Sequence, residues 1–570
     1  MRRTVPCIFI IAVAIFGISL RWHAEGAIKK GLNYQVFAVK AITNDKLLPD
    51  SSPKGLNLKE TRKLWLFASP GEYEPVSFAV YAPDGHGLKG LRVTASDLVR
   101  IGMGRKGRMR ISSSNVDLRV VKCWYQAGVQ VWDIKHKLLT PELLLKDDSL
   151  VHVDTEKKAN ILKPPKLLRD AAKLLPVDIP ANTLRQFWVT VYVPENAAPG
   201  NYRGIIRLRA ANDVPSELEL LVKVLPIKLA KPFLNYAIYY RGRLAAKGTD
   251  TLSSELKSPK QYEAEMRNLK AHGIDNPTVY QPLGRRSDGS LDFTMLARVL
   301  ALRKKAGIKG VPLLYLGGMP LVFGGTVAGG SLDELKNRVR ALVRFAQKNG
   351  CPETYIYGID EASGAMLKAE RLAFAAIHEA GGKVFVACYS DFFEFVGDLL
   401  DLPIYAGIPS PELVAKVHRV RHKIWNYANP QCGVEEPYTY RHNYGLLLWK
   451  AGLDGTCDYA YQHSFGDIWN DFDHYHYRDH VMAYPTVDGV IDTIQWEGWR
   501  AGVDDVRYLT TLLRALERVK KVMPNHRVVR DIEGRLAALD ISGDLQEIRW
   551  QMALGIIKLQ ELVKARVVSK

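Results

Sequence analysis

Two hydrophobic rhythms divide this chain. From about Asn33 to Ala230, apolar and polar residues alternate with period two. Examples are Pro75-Val76-Ser77-Phe78-Ala79-Val80-Tyr81, Phe187-Trp188-Val189-Thr190-Val191-Tyr192-Val193 and Tyr202-Arg203-Gly204-Ile205-Ile206-Arg207-Leu208. Successive side chains of a strand point to opposite faces, so these runs predict half-buried strands, with turns at the Pro, Gly and Asn clusters between them. An N-terminal antiparallel β-sandwich over residues 27–230 follows. A basic, proline-containing stretch from Lys157 to Pro180 breaks the rhythm and reads as a surface helix or loop.

After Lys231-Pro232 the rhythm changes. Short apolar runs, the signature of strands buried on both faces, alternate with helical patterns. The predicted strands are Tyr236–Tyr240, Pro277–Gln281, Val311–Leu316, Thr354–Asp360, Val384–Tyr389, Ile404–Ile408, Lys423–Tyr427 and Thr456–Tyr461. Helical patterns between them include Tyr262–Ala271, Leu332–Lys348, Met366–Glu379 and Tyr444–Lys450. Gly273, Gly307, Gly350, Gly381 and Gly452 stand where a left-handed residue would stop a helix. Eight such units predict a (β/α)8 TIM-like barrel over residues 231–522, with a helical tail over 523–570. A doubly wound sheet would carry a Gly-rich phosphate loop after its first strand, and Arg241-Gly242-Arg243 is not one.

The first residues belong to neither rhythm. Arg2 and Arg3 precede an apolar run, Val5 to Leu20, and small residues follow at Ala24, Gly26 and Ala27, the layout of a secretory signal peptide over residues 1–26. The expectation is a secreted or periplasmic protein with no stable membrane insertion after cleavage. Without Cys7, five scattered cysteines remain, which is neither a disulfide framework nor a metal motif. The formal charge is +19; residues 1–26 hold three arginines and one glutamate, so their removal leaves +17. Such a surface attracts polyanions, including acidic or sulfated polysaccharide. No nucleic-acid-binding motif accompanies it.

In a barrel, catalytic groups come from the C-terminal ends of the strands. Here those ends read Tyr315-Leu316-Gly317-Gly318, Tyr355-Ile356-Tyr357-Gly358-Ile359-Asp360-Glu361, Tyr389-Ser390-Asp391, Trp425-Asn426-Tyr427-Ala428-Asn429 and Tyr459-Ala460-Tyr461-Gln462-His463. Aromatics, amides and carboxylates together suit sugars, which offer flat C–H faces and hydroxyls. The pair Asp360-Glu361 has two readings: acids that favour the N-terminus of the next helix, or a catalytic pair. If catalytic, adjacent acids suit cleavage in which one protonates the leaving oxygen and its neighbour orients the substrate's own 2-acetamido group. Strand alternation points neighbours apart, so the chain must leave strand geometry after Ile359 for both to face one pocket.

Four segments carry a resemblance. Gly71-Glu72-Tyr73-Glu74-Pro75-Val76-Ser77-Phe78, Val193-Pro194 with Pro199-Gly200-Asn201-Tyr202-Arg203-Gly204, Tyr357-Gly358-Ile359-Asp360-Glu361, and Trp496 to Leu509 lie in that order. Together they resemble glycoside hydrolase family 123 and its uncharacterised relatives, which couple a β-sandwich to a (β/α)8 barrel. The resemblance implies an exo-acting β-N-acetylgalactosaminidase using substrate-assisted catalysis; no cofactor and no metal are expected. It implies Glu361 as general acid/base and Asp360 as the acetamido-orienting group, with Tyr389 or Tyr427 holding the acetamido oxygen. Tyr357, Tyr389, Trp425, Asn426, Tyr427, Tyr461, Gln462 and Trp496 are the candidate substrate-binding residues.

The competing site pairs Glu361 with a nucleophile at Glu435 or Glu436, and the competing class is a non-catalytic carbohydrate-binding envelope protein. The stretch His463 to His480, with Asp467, Asp471, Asp473, His474, His476 and Asp479, reads as an aromatic, polar roof over the pocket rather than a metal site. Gly102-Met103-Gly104-Arg105-Lys106-Gly107 formally matches GxGxxG but lies among strands and reads as a basic hairpin turn.

Overall fold

The computed structural model describes residues 32–102, 109–128, 130–164, 167–245, 252–317, 331–433 and 435–568. The expected signal peptide, Gly318 and all but the first residue of the Gly102–Gly107 stretch lie outside them. The strands flanking that stretch, Leu98–Arg100 and Arg110–Ile111, pair antiparallel.

The alternating region forms two sheets. One has the order Gln35–Val39, Glu72–Ala82, Thr183–Val193, Val116–Gln126, Leu138–Leu145, all antiparallel. The other runs Val177–Ile179, Leu88–Ala95, Gly200–Arg209, Ser216–Val224, Lys63–Ala68, and its last pair is parallel. One apolar core joins them, with Phe78, Phe187 and Val189 from the first and Ile206, Leu208 and Leu220 from the second. The Lys157–Pro180 stretch is loop with a short strand at each end. Ala159–Leu162 pairs with Val151–Asp154, Val177–Ile179 forms a sheet edge, and Leu168 is buried in the core the two sheets share. Its charged residues mask the few apolar positions that anchor it.

Seven strands in the second half form one curled parallel sheet, in the order Asn235–Ile238, Gly455–Asp458, Trp425–Tyr427, Leu402–Ala406, Lys383–Cys388, Thr354–Tyr357, Leu313–Tyr315. Between its two outer strands runs the segment around Thr278. Thr278 N–H donates to Ile238 O (3.0 Å) on one side, and Val279 N–H to Leu314 O (2.8 Å) on the other. Apolar side chains divide by alternation. Tyr355, Phe385, Trp425 and Tyr427 gather on the inner face, while Ile356, Val384 and Val386 pack outward against helices. The five helix-stopping glycines all have positive φ. The predicted Tyr444–Lys450 helix begins earlier, as Pro437–Asn443 followed by Leu446–Lys450.

A 29-residue helix, Ile494–Val522, closes the sheet region, and Arg527–Ala537 and Leu545–Val568 follow it. Where these helices meet the first domain, charges are buried together. Arg549 donates to Asp505 (2.6 Å) and Glu74 (2.7 Å). Arg441 donates to Asp505 through two nitrogens, and Tyr508 donates to Glu72 (2.9 Å). Glu72, Glu74, Asp505 and Tyr508 come from two of the four segments that carried the sequence resemblance. Those motifs therefore meet across the two halves of the chain, in a network where removing one partner would leave a buried charge uncompensated.

Candidate active site

Tyr355 and Tyr357 point inward from the strand Thr354–Tyr357, and Ile356 points outward. The strand stops at Tyr357, earlier than the pattern predicted, because the next amides leave the ladder. Gly358 N–H still reaches Phe385 O (3.1 Å), but Ile359 N–H turns to Glu370 Oε1 (2.7 Å), and Glu361 N–H reaches Ala387 O (3.1 Å). A Cβ at Gly358 would lie 3.1 Å from both Glu370 Oε1 and the Phe374 ring, so glycine permits this close approach. Glu361 itself has φ of +51°, a left-handed conformation that a glutamate seldom adopts. Such strain persists only where surrounding structure holds it and clusters at functional sites.

This turn brings both acids into one tyrosine cluster. Tyr357 O–H donates to Asp360 Oδ1 (2.6 Å), and its oxygen also meets Tyr239 O–H (2.9 Å). Tyr389 O–H donates to Glu361 Oε2 (2.6 Å), and Tyr427 O–H donates to the other oxygen, Oε1. The Tyr239 ring packs edge-on against Tyr357 and Tyr427. The helix-capping reading does not hold. The following helix is Ala365–Glu379, its N-cap is Gly364, and no side chain caps it.

Burial pushes the Asp360 carboxyl above the usual carboxylate range, against the Tyr357 hydrogen bond, and the neighbouring Glu361 charge adds to the rise. Tyr389 is pushed up to about 12, first because its hydroxyl donates to Glu361. Burial raises Tyr357 and Tyr427 well above the ordinary phenol value.

The inner wall continues through residues the sequence reading did not select. Arg241 lies over the Tyr280 ring (5.2 Å), donates to Glu255 Oε1 (2.5 Å) and reaches the Tyr459 hydroxyl (3.3 Å). Tyr459 shares a hydrogen bond with His463 Nδ1 (2.8 Å). Burial and the Arg241 charge lower His463 to about 4, so its ring is neutral at neutral pH. Applying the inward alternation of Tyr357 to the first strand would have selected Tyr239 over Tyr240.

Tyr357, Tyr389 and Tyr427 thus join Asp360 and Glu361. The other five candidates do not reach this cluster. Trp425 sits two residues before Tyr427 on the same inward face, buried in the floor below it. Asn426, between them, points outward and is fully buried. Tyr461 and Trp496 both donate to Asn268 Oδ1 in the outer layer (3.0 and 2.9 Å). Gln462 is buried between Lys257 and Ala483 O. Residue type suggested a rim, but period-two alternation and chain position send these five into the core. Glu435 is buried, accepts from Gln495 N–H (2.6 Å) and is raised by burial and by Glu142 beside it. Glu436 accepts from Thr439 at the start of the next helix. Neither joins the cluster.

Carboxylates of the His463–His480 stretch tie its own backbone. Asp473 accepts from Asp467 N–H (2.7 Å), and Asp471 from Asp479 N–H (2.7 Å) and Ala127 N–H (2.8 Å). Among the described residues, the trio with metal-ligand spacing is His272, Asp492 and Glu497, with ligand atoms within 4.8 Å of one another. It lines a separate cavity of about 290 Å³, where Arg119 already faces Asp492 and Arg500 faces Glu497.

Residues 145–210 match the glycoside hydrolase 123 N-terminal domain. In structure the chain is similar to a family 123 glycoside hydrolase from Clostridium perfringens, described for glycolipid glycan hydrolysis. The TM-score is 0.64 at 12% identity, covering 94% of this chain and 100% of that one. A Bacteroides ovatus GH5 xyloglucanase gives a TM-score of 0.30 at 8% identity, over 78% of this chain and 98% of that one. No curated protein matches the chain. The resemblance to family 123 is thus met twice, by sequence within the first domain and by fold along nearly the whole chain.

Proposed function

We propose that this chain is an exported, exo-acting glycosidase that removes terminal β-linked N-acetylhexosamine, in first place N-acetylgalactosamine, by substrate-assisted retaining catalysis. The observation that carries the reading is the left-handed turn at Glu361, through which two adjacent carboxyls share one tyrosine cluster. Family likeness in the first domain and in the fold supports it. Backbone bonds from Thr278 and Val279 to both outer strands support reading the curled sheet as a closed eightfold barrel, and the two sheets sharing one core support the sandwich.

In this mechanism Glu361 protonates the glycosidic oxygen as that oxygen leaves C1. The acetamido oxygen of the same sugar attacks C1 and forms an oxazolinium ring. Asp360 accepts the acetamido N–H and so stabilises the positive charge that develops on the ring. A tyrosine, Tyr389 or Tyr427, moves its O–H from Glu361 to the acetamido oxygen when substrate enters. Water, deprotonated by Glu361, then opens the ring with net retention. Adjacent acids fit this scheme; a direct-nucleophile mechanism uses two carboxyls about 5 Å apart on different strands.

The test is a panel of nitrophenyl β-glycosides of N-acetylgalactosamine, N-acetylglucosamine and galactose. Turnover confined to the acetamido sugars is expected. Equal turnover of the plain galactoside would overturn substrate assistance, and no turnover of any member would overturn the glycosidase reading.

A further inference from the structure

A track of aromatic rings leaves the pocket wall and runs outward to solvent. It starts at Tyr459, next to Arg241, and passes to His463 (ring centroids 5.5 Å apart). From there it continues to Phe465 (4.5 Å), Tyr477 (5.1 Å) and, by way of His474, Tyr475 (4.7 Å from His474). Exposure grows with distance. Tyr459 and His463 are half-buried, and Phe465, Tyr477 and Tyr475 are 37%, 42% and 77% exposed. A contiguous exposed apolar surface is unusual on a soluble protein and marks a binding face.

The track is held firmly. Phe465 N–H donates to Asp479 Oδ1 (3.0 Å), His476 and Tyr477 N–H both donate to His474 Nδ1 (3.3 and 3.1 Å), and Arg478 N–H donates to Val131 O (2.9 Å) in the first domain. A surface whose backbone is already ordered loses little entropy on binding. The outermost rings contribute nothing to the core, so their placement calls for another explanation.

We propose that this track is the leaving-group platform: it stacks the sugar units that follow the terminal residue of an oligosaccharide, and so selects glycans over short glycosides. The occupant is argued from continuity. The rings abut the wall that holds Asp360: the Tyr459 ring lies 5.4 Å from that of Tyr239, whose hydroxyl meets the hydroxyl of Tyr357, the donor to Asp360. An exo-acting enzyme has sugar on the leaving side alone. Flat aromatic faces take C–H faces of neutral sugar rings without needing charge. The proposal rests on the glycosidase reading above.

The test uses the full chain, wild type and the double variant Tyr475→Ala/Tyr477→Ala, which removes two exposed rings and no core contact. Two substrates carry the same terminal N-acetylhexosamine, a nitrophenyl glycoside and a tetrasaccharide. The expected result is a fall in kcat/KM of roughly five- to tenfold on the tetrasaccharide, mostly in KM, at the scale of lost aromatic contacts, with the nitrophenyl glycoside unchanged. An equal fall on both substrates, or none on the tetrasaccharide, would overturn it. Should the wild type hydrolyse neither, the glycosidase reading fails separately. Calorimetric binding of the tetrasaccharide then decides the platform: binding weakened by the variant supports it, and no binding, or binding the variant leaves intact, overturns it.

Discussion

Glu370 offers the sharpest test of how the acid pair is held. It lies in the helix Ala365–Glu379, fully buried. Its Oε1 accepts the Ile359 N–H at 2.7 Å, and its Oε2 has no partner among the described residues. Burial raises its carboxyl from 4.5 to about 7, opposed only by that one backbone bond. The sign follows from linkage. Between those values the folded state binds the proton and the unfolded state does not, so stability is greatest at low pH and declines as pH rises through about 7. A shift of this size corresponds to about 3 kcal/mol lost above pH 7. Glu370→Gln keeps the acceptor for Ile359, replaces the partnerless oxygen and removes the ionisation. It should therefore match wild type near pH 4.5 and gain up to about 3 kcal/mol above pH 7, roughly 2 °C or more in melting midpoint for a chain of this length. Calorimetric melts from pH 5 to 8.5 read the difference. Glu370→Ala should instead leave the buried Ile359 N–H unpaired, at about 1–3 kcal/mol, and lower kcat through the displaced acid loop. A Gln-minus-wild-type difference that stays flat with pH, or an Ala variant with full kcat, would refute the argument.

Glu361→Gln should abolish hydrolysis of unactivated glycosides measured by released sugar; unchanged turnover would remove Glu361 from the role of acid. Asp360→Asn should weaken thiazoline-type inhibitors much more than inhibitors lacking an acetamido mimic, and equal losses would count against substrate assistance. Tyr427→Phe keeps the ring and removes one charge-assisted bond to Glu361. A loss of about 1.5–3 kcal/mol in transition-state stabilisation, roughly ten- to a hundredfold in kcat/KM, is expected. Trp496→Ala should lower stability by about 3–5 kcal/mol in urea titration while leaving KM of the folded fraction unchanged; a selective rise in KM would return Trp496 to the binding set.

Much of the fold was legible because burial writes itself into a sequence as period. Val189–Val193 alternates since one face meets the core and the other is half-exposed, and the pattern at Phe187–Val193 marked the last seven of that strand's eleven residues. The apolar run at Val384 to Tyr389 is continuous because both faces are covered, and Lys383–Cys388 lies inside the parallel sheet. The Leu332–Lys348 helix matched its predicted ends, stopped by Ser331 at its start and the left-handed Gly350 beyond its end. Of Lys157–Pro180, the loop reading missed only the short strands Ala159–Leu162 and Val177–Ile179, because a few anchoring positions among many charges leave no period.

The site was legible only in part. Residue type named Trp425, Asn426, Tyr461, Gln462 and Trp496 alongside the true neighbours of the acids, since tyrosine, tryptophan and amides serve a core as readily as a rim. Composition carries no depth. Whether an inward aromatic lies in the floor, as Trp425 does, or at the mouth, as Tyr427 does, depends on where its strand ends relative to its neighbours. Arg241 and Tyr459 stayed unselected because their meeting spans 218 positions of chain.

By itself the sequence determined the elements, their alternation and the local chemistry of Asp360-Glu361, all of which depend on neighbours a few residues apart. Only the tertiary structure decided how that pair is held. The left-handed backbone at Glu361 is held by Ala387 from the next strand and by Glu370, through Ile359, from the helix that follows, and the hydroxyls that meet its carboxylate come from the end of that next strand and from the end of Trp425–Tyr427. A strained turn needs such outside support to persist, and support from distant segments is set by packing rather than by any local pattern.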